Sequence, residues 1–294
     1  MERNSVSFSE HAMRPYFTKL MIALFVYELT FQFGAGFVSL LGTDLFRNMY
    51  FAMILSGVTA LLFAFLILGF QPHPVPLERF RIRTIVYYSF LFYGVQLLTM
   101  ILDFPIEGIL KAMGFSLEAA REAASGGDVG DIWQWVYSIL MAPLFEELLF
   151  RGLFFGYLRR YGRLFAILMS ALFFALMHAN VFQFFLALFL GIVLADIRDR
   201  YGIHCSILLH LINNLFAILA NHFSEKGFLS ILYPLVLLIG AVVLIVSLVR
   251  SFAPFLRELK AEQSFHCCIS RFFTTIPVDL MILVFLGLAA LNLN

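Results

Sequence analysis

Long apolar stretches alternate with short charged or Gly/Pro-containing breaks from end to end of the chain. They fall near residues 20–43, 49–71, 84–102, 132–158, 164–178, 181–197, 206–222, 227–249 and 276–293. A helix needs roughly 20 apolar residues to cross a hydrocarbon core of about 30 Å, so each run is a candidate span. The pattern predicts an all-α polytopic membrane protein, a bundle of about nine transmembrane helices forming a single domain over 1–294. Residues 1–19 read as a polar cytoplasmic arm, and the first span has no small-residue cleavage site, so it is expected to be retained. The longest outer segment, 103–131, carries Ile106, Ile109, Leu110, Met113 and Leu117, then an Ala/Glu stretch closed by Ser125, Gly126 and Gly127. It is expected as an interfacial segment, either a helix or a loop packed on the bundle. No repeat, low-complexity tract or soluble second domain interrupts the pattern.

Charge sets the expected orientation, because cytoplasmic loops carry the excess of Lys and Arg. Basic residues concentrate in the N-terminal arm and in alternate breaks, at Arg79, Arg81 and Arg83, at Arg159, Arg160 and Arg163, at Arg198 and Arg200, and at Arg250, Arg257, Lys260 and Arg271. The intervening breaks hold only Arg47, Lys111, Arg121 and Lys226. The alternation predicts a cytoplasmic N-terminus and an outer C-terminus. Composition agrees with a membrane protein: 62% of residues are hydrophobic and 13% charged, against about a quarter charged in soluble domains. That excludes a free soluble globule. The formal charge of +1, with no dense basic tract, gives no footing for nucleic acid. Cys205, Cys267 and Cys268 form no CxxC pair and no framework, so no structural disulfide is expected.

Arg151 is the one basic residue inside a span, and it has acidic company. The fourth run reads Met141-Ala142-Pro143-Leu144-Phe145-Glu146-Glu147-Leu148-Leu149-Phe150-Arg151-Gly152. Charges at membrane depth cost at least about 2.5 to 3.5 kcal/mol each, so they need a reason. Glu147 and Arg151 stand one turn apart on one face, in the order that favours an ion pair. Glu146 is rotated by about 100° and lacks such a partner, which makes it the better candidate for chemistry. Pro143 removes a helix hydrogen bond three residues earlier, which can open the helix locally to water. His178 ends the fifth run, and His210 and Asn214 share a face of the seventh. Each alone is ordinary interhelical glue. At 1.5 Å per residue, however, Glu146, His178, His210 and Asn214 lie about 20, 22, 12 and 18 Å from the inner boundary, a convergence expected of a buried polar site. Glu28, alone in the first span, reads as a half-buried or snorkelling side chain. His204 and His222 sit at span ends, and juxtamembrane Cys267 and Cys268 suit palmitoylation.

These residues resemble the CPBP intramembrane proteases, also called the Abi or CAAX-protease-like family, which includes the type 2 CAAX prenyl endopeptidases. The family's EExxxR is matched by Glu146, Glu147 and Arg151, its FxxxH by Phe174 and His178, and its HxxxN by His210 and Asn214. The likeness also covers the glycine-bearing stretch from Gly191 to Gly202 and spans roughly residues 140–215, the expected catalytic motif region. It implies an intramembrane endopeptidase in which Glu146 is general base to a water and His178 holds that water. His210 and Asn214 would stabilise the oxyanion, and Glu147, Arg151 and Phe174 would support the site.

The cofactor stays open at this point: none, or zinc held by Glu146, His178 and His210. Expected partners are the lipid bilayer and a peptide or membrane-associated protein, with prenylated proteins among the options. The rival classes are a non-catalytic scaffold of the bacteriocin-immunity type and a proton- or ion-coupled transporter. A transporter would usually show paired repeats, which are lacking.

Overall fold

The computed structural model describes residues 10–42, 44–69, 78–125, 131–223, 228–262 and 264–293. Gly126, Gly127 and Lys226, the first part of the N-terminal arm and the side chain of His222 lie outside that description. The described residues form helices and no strands: α1 (Glu10–Ser39), α2 (Asp44–Arg47), α3 (Met49–Leu68), α4 (Ile82–Ala112), α5 (Glu118–Ser125) and a continuous helical run over 132–158. After it come α9 (Arg163–Met177), α10 (Val181–Tyr201), α11 (Ile203–Phe223), α12 (Phe228–Ala261), α13 (Phe265–Phe272) and α14 (Ile276–Leu291). The run over 132–158 contains α6 (Ile132–Trp135), α7 (Ala142–Glu146) and α8 (Phe155–Leu158), separated by π-wound turns.

The protein is an all-α, multi-pass membrane protein. Among the described residues, six helices are long and apolar enough to cross a bilayer, or seven if α13 and α14, bent by 67° at their junction, make one span. The count does not reach the nine expected, because two of the runs fall short of that test as single regular helices. Helix α9 has 15 residues, a rise of about 22 Å against a core of about 30 Å. The run over 132–158 is wound irregularly around its charged residues. The outer segment also divides, because α4 continues to Ala112 before the chain turns at Gly114 into the short α5.

Polar side chains at the ends of the helices fix where they start. Asn48 caps α3 by accepting from the amides of Tyr50 and Phe51 at 3.0 and 3.1 Å. Its amide nitrogen also donates to Asp131, which caps the run over 132–158 by accepting from Trp133 N at 2.9 Å. Helix α9 starts differently. Gly162 has φ +139°, and a Cβ there would overlap the Glu262 carboxylate, which accepts from the amide of Leu164 at 3.1 Å. Glycine thus admits an acidic group from beyond α12 to the positive end of α9.

At the same end Arg159 and Arg163 donate to the two oxygens of Asp199 at 2.8 and 2.7 Å. Arg163 also pairs with Asp196 and, at 2.9 Å, with Glu258. The cluster ties α9, α10 and α12 together where they leave the membrane.

Small residues set the close helix crossings, as expected where lipid is as apolar as the side chains and packing drives association. Ser56 of α3 donates to the carbonyls of Thr30 and Phe31 in α1 at 2.7 and 2.8 Å, in space left by Gly34. Gly57 accommodates the ring of Phe145, seating α3 against α7. Helix α4 crosses α12 backbone to backbone at Gly94 and Gly240, where a Cβ on either would strike the other's main chain.

Gly240→Ala should therefore destabilise the protein by about 1–3 kcal/mol, because neither backbone can yield without separating the pair. Gly36→Ala is the control, since a Cβ there meets nothing within 4 Å. Thermal unfolding in detergent reads the difference, and equal midpoints for the two variants would refute the crossing as a packing constraint.

Candidate active site

The helix bearing both glutamates is π-wound at Val136–Met141, α-helical at Ala142–Glu146 and π-wound again at Glu147–Phe154. Such windings are rare and leave backbone groups without their usual partners. Ala142 N donates to Tyr137 O, five residues back, so an amide at residue 143 would serve Ser138 O in the same winding. Pro143 has no amide to give. Asn214 of α11 fills the gap, its Nδ2 donating to Ser138 O at 3.1 Å, and Asn213 Nδ2 holds Asn214 Oδ1 at 3.3 Å. The helix is not simply opened to water at Pro143, since the neighbouring helix supplies a donor there. One turn further on, Arg198 Nε donates to Arg151 O at 3.0 Å.

Glu147 and Arg151 have no exposed side-chain surface and form an ion pair at 3.2 Å. Two further groups serve the guanidinium. Its Nη2 donates to Gly191 O at 3.2 Å, and its Cζ lies 4.2 Å from the centroid of the Phe174 ring. Gly191 permits that approach, because a Cβ there would sit 3.1 Å from both Ala171 and Phe174. Glu147 accepts a second bond, from His210 Nδ1 at 3.0 Å. The other ring nitrogen, Nε2, lies 3.6 Å from Glu146 Oε2, so His210 stands between the two glutamates. Phe174 meets both histidine rings edge-on, at 5.0 Å for His178 and 6.0 Å for His210.

His178 caps the C-terminus of α9 and donates from Nδ1 to Phe174 O at 2.8 Å. A carbonyl only accepts, so Nδ1 carries the proton and the neutral ring offers Nε2 as an acceptor. The chain reverses at once. Ala179 has φ +45°, the only non-glycine residue with positive φ among those described. Asn180 then caps α10 by accepting from the amides of Phe182 and Gln183, while donating to Ala120 O at 2.7 Å. Asn292 of α14 donates to Ala179 O at 3.0 Å. This turn between short α9 and α10 thus has its backbone groups met by protein, the condition under which irregular backbone survives at membrane depth.

Glu146 and His178 line one cavity of about 140 Å³. Glu146 keeps 19% of its side chain exposed and Glu147 none, so only the first can meet a water. Glu28 lines the same cavity from α1, with Tyr27, Phe31 and Gln32. Glu28 is half-buried with Gln32 as its neighbour, the paired form of the expectation and not the snorkelling one. The signal lay in the spacing of Glu28 and Gln32, a polar pair one turn apart in an otherwise apolar span.

The structure therefore joins Glu146 to His178 through the cavity, and Glu146 to His210 through the 3.6 Å approach. Asn214 sits at Ser138, and neither it nor His210 is among the cavity-lining residues. Both histidines bind through Nδ1, His210 to Glu147 and His178 to a carbonyl, which leaves each Nε2 open. Among the described residues no three His, Cys, Asp or Glu side chains are gathered closely enough to hold a metal. His204 and the three cysteines join no such group; Cys268 is buried with Sγ 3.7 Å from Tyr161 O.

No curated protein and no solved structure matches the chain. Residues 128–216, which carry the wound helix, α9, α10 and most of α11, match the family model described as type II CAAX prenyl endopeptidase Rce1-like, and the three motifs lie within that stretch.

Proposed function

We propose that the protein is an intramembrane endopeptidase that hydrolyses a peptide bond with a water activated by Glu146. The observation that carries this reading is the unequal placing of two adjacent carboxylates. Glu147 is sealed against Arg151 and His210, while Glu146 faces a cavity with the acceptor nitrogen of His178. A water between them can donate one hydrogen to the Glu146 carboxylate and the other to His178 Nε2, leaving an oxygen lone pair for a carbonyl carbon. Attack forms the C–O bond as Glu146 takes the proton. Collapse of the tetrahedral intermediate breaks the C–N bond, and Glu146 returns the proton to the departing amine.

The oxyanion needs donors. With Nδ1–H given to Glu147, His210 offers a second donor at Nε2 only when the ring carries both protons. Asn214 has one amide hydrogen left after serving Ser138 O. In other enzymes one such donor contributes about 2.7 to 4 kcal/mol. The proposed substrate is a peptide or membrane-associated protein, with prenylated proteins in the class that the family description names. The proposed orientation puts the N-terminus and the Arg163 cluster on the cytoplasmic side and the C-terminus outside.

Glu146→Gln should fold normally and lose at least about 10²-fold in turnover, since it keeps shape and polarity but removes the base. Glu147→Gln should instead lose about 3 to 5 kcal/mol of stability, because it strands a buried guanidinium. The paired change Glu147→Leu with Arg151→Leu removes both charges and should recover stability. Thermal unfolding in detergent alongside turnover decides, and a destabilised Glu146→Gln beside a stable, inactive Glu147→Gln would reverse the two roles.

Because the three metal-ligand candidates do not converge, incubation with a strong chelator should leave turnover unchanged. Loss of activity that added zinc restores would overturn that. For orientation, a cysteine at Arg257 should react with a membrane-impermeant reagent only from the cytoplasmic side, and one at Glu118 only from outside; the opposite labelling would invert the topology.

A further inference from the structure

The cavity has a second acidic wall that the proposed hydrolysis does not use. Glu28 and Glu146 are both among its lining residues, and no Lys or Arg is. Glu28 Oε1 is buried and has no hydrogen-bond partner, while the carboxyl's one neighbouring side-chain partner is Gln32. An unmet buried acceptor is costly, and a donor arriving with a ligand would recover that cost. Beside it, the rings of Tyr27 and Phe31 stack at 6.1 Å with only 7° between their planes and give the cavity an aromatic wall. Carboxylates next to aromatic faces suit an organic cation. The volume, about 140 Å³, equals roughly four to five waters at about 30 Å³ each, room for one side chain and not for a folded segment.

We propose that Glu28, with Gln32 beside it, is a specificity subsite that receives a lysine or arginine side chain of the substrate near the scissile bond. The proposal rests on the hydrolase reading and deepens it by naming a substrate class, membrane-associated segments that carry a basic residue close to the cleaved bond. Such a residue is costly at membrane depth without a counter-charge. Glu28 supplies the counter-charge, and the same cost disfavours substrates that would bring a further carboxylate into this cavity.

The test uses fluorogenic Leu/Ala host peptides with one lysine scanned along them, paired with the same peptides carrying norleucine, an uncharged chain of similar shape. In detergent, the native protein should cleave the best lysine peptide at least about tenfold better in kcat/KM than its norleucine partner. In Glu28→Gln that ratio should collapse to within about twofold of unity, chiefly through loss on the lysine peptide, while Glu28→Asp, which keeps the charge, should retain part of it. Equal losses on both peptides, or no lysine preference in the native protein, would overturn the subsite.

Binding to the Glu146→Gln protein, read by fluorescence anisotropy, separates the two ideas. A Glu28-dependent preference in binding with no turnover by the native protein would sink the hydrolase reading and keep the subsite. Turnover without the preference would do the reverse, and neither binding nor cleavage overturns both. Unfolding midpoints within the range of the native protein establish that each variant is folded.

Discussion

A guanidinium with no exposed surface needs its charge countered inside the bundle, and the groups around Arg151 are arranged by that demand. Glu147 neutralises it, Gly191 lends a carbonyl and Phe174 covers it. Gly191 must be glycine because α10 and α9 would otherwise stand too far apart for that carbonyl to reach. His210 is drawn in because the carboxylate that answers Arg151 accepts a further donor. Arg198 follows from the winding, since Arg151's own carbonyl takes its donor from outside the helix. Removing Glu147 would leave a buried charge without its counter-charge, so the cluster depends first on that pair.

This is why the three motifs were legible as one site before any coordinates. Charged and imidazole side chains are expensive at membrane depth, so their presence in apolar runs carries information that a Leu or Phe at the same positions does not. The i,i+4 spacing of Glu147 and Arg151 gave the ion pair directly. The π-windings were not legible. Pro143 marked a missing amide, but whether the helix opens, kinks or rewinds depends on what the neighbouring helix offers, and Asn214 is 71 residues further along the chain.

Hydropathy located every apolar run but not the length or winding of the helix that each one forms. It cannot distinguish a helix that crosses from one that stops inside, because both are apolar along their length. Helix α9 ends at His178 because Ala179 and Asn180 reverse the chain, held by Ala120, Asn292 and the α10 amides, and these contacts come from distant segments. The cavity beside Glu28 was not legible, because it forms only when Tyr137, Glu146 and His178 from other helices are placed against α1.

In the proposed mechanism the two adjacent glutamates divide stability and reactivity between them. A carboxylate that neutralises a buried charge is held by hydrogen bonds to the ionised form, which make it a weak base; a carboxylate that takes protons from water must be free of such bonds. One side chain cannot meet both conditions. Successive residues on a helix point about 100° apart, enough to send one into the packed interface and the other into the cavity. His210 touches both, with Nδ1 on the structural carboxylate and Nε2 facing the free one. In the proposed mechanism this ring, held by the Arg151 cluster on one side, joins the rigid carboxylate to the one that faces the cavity.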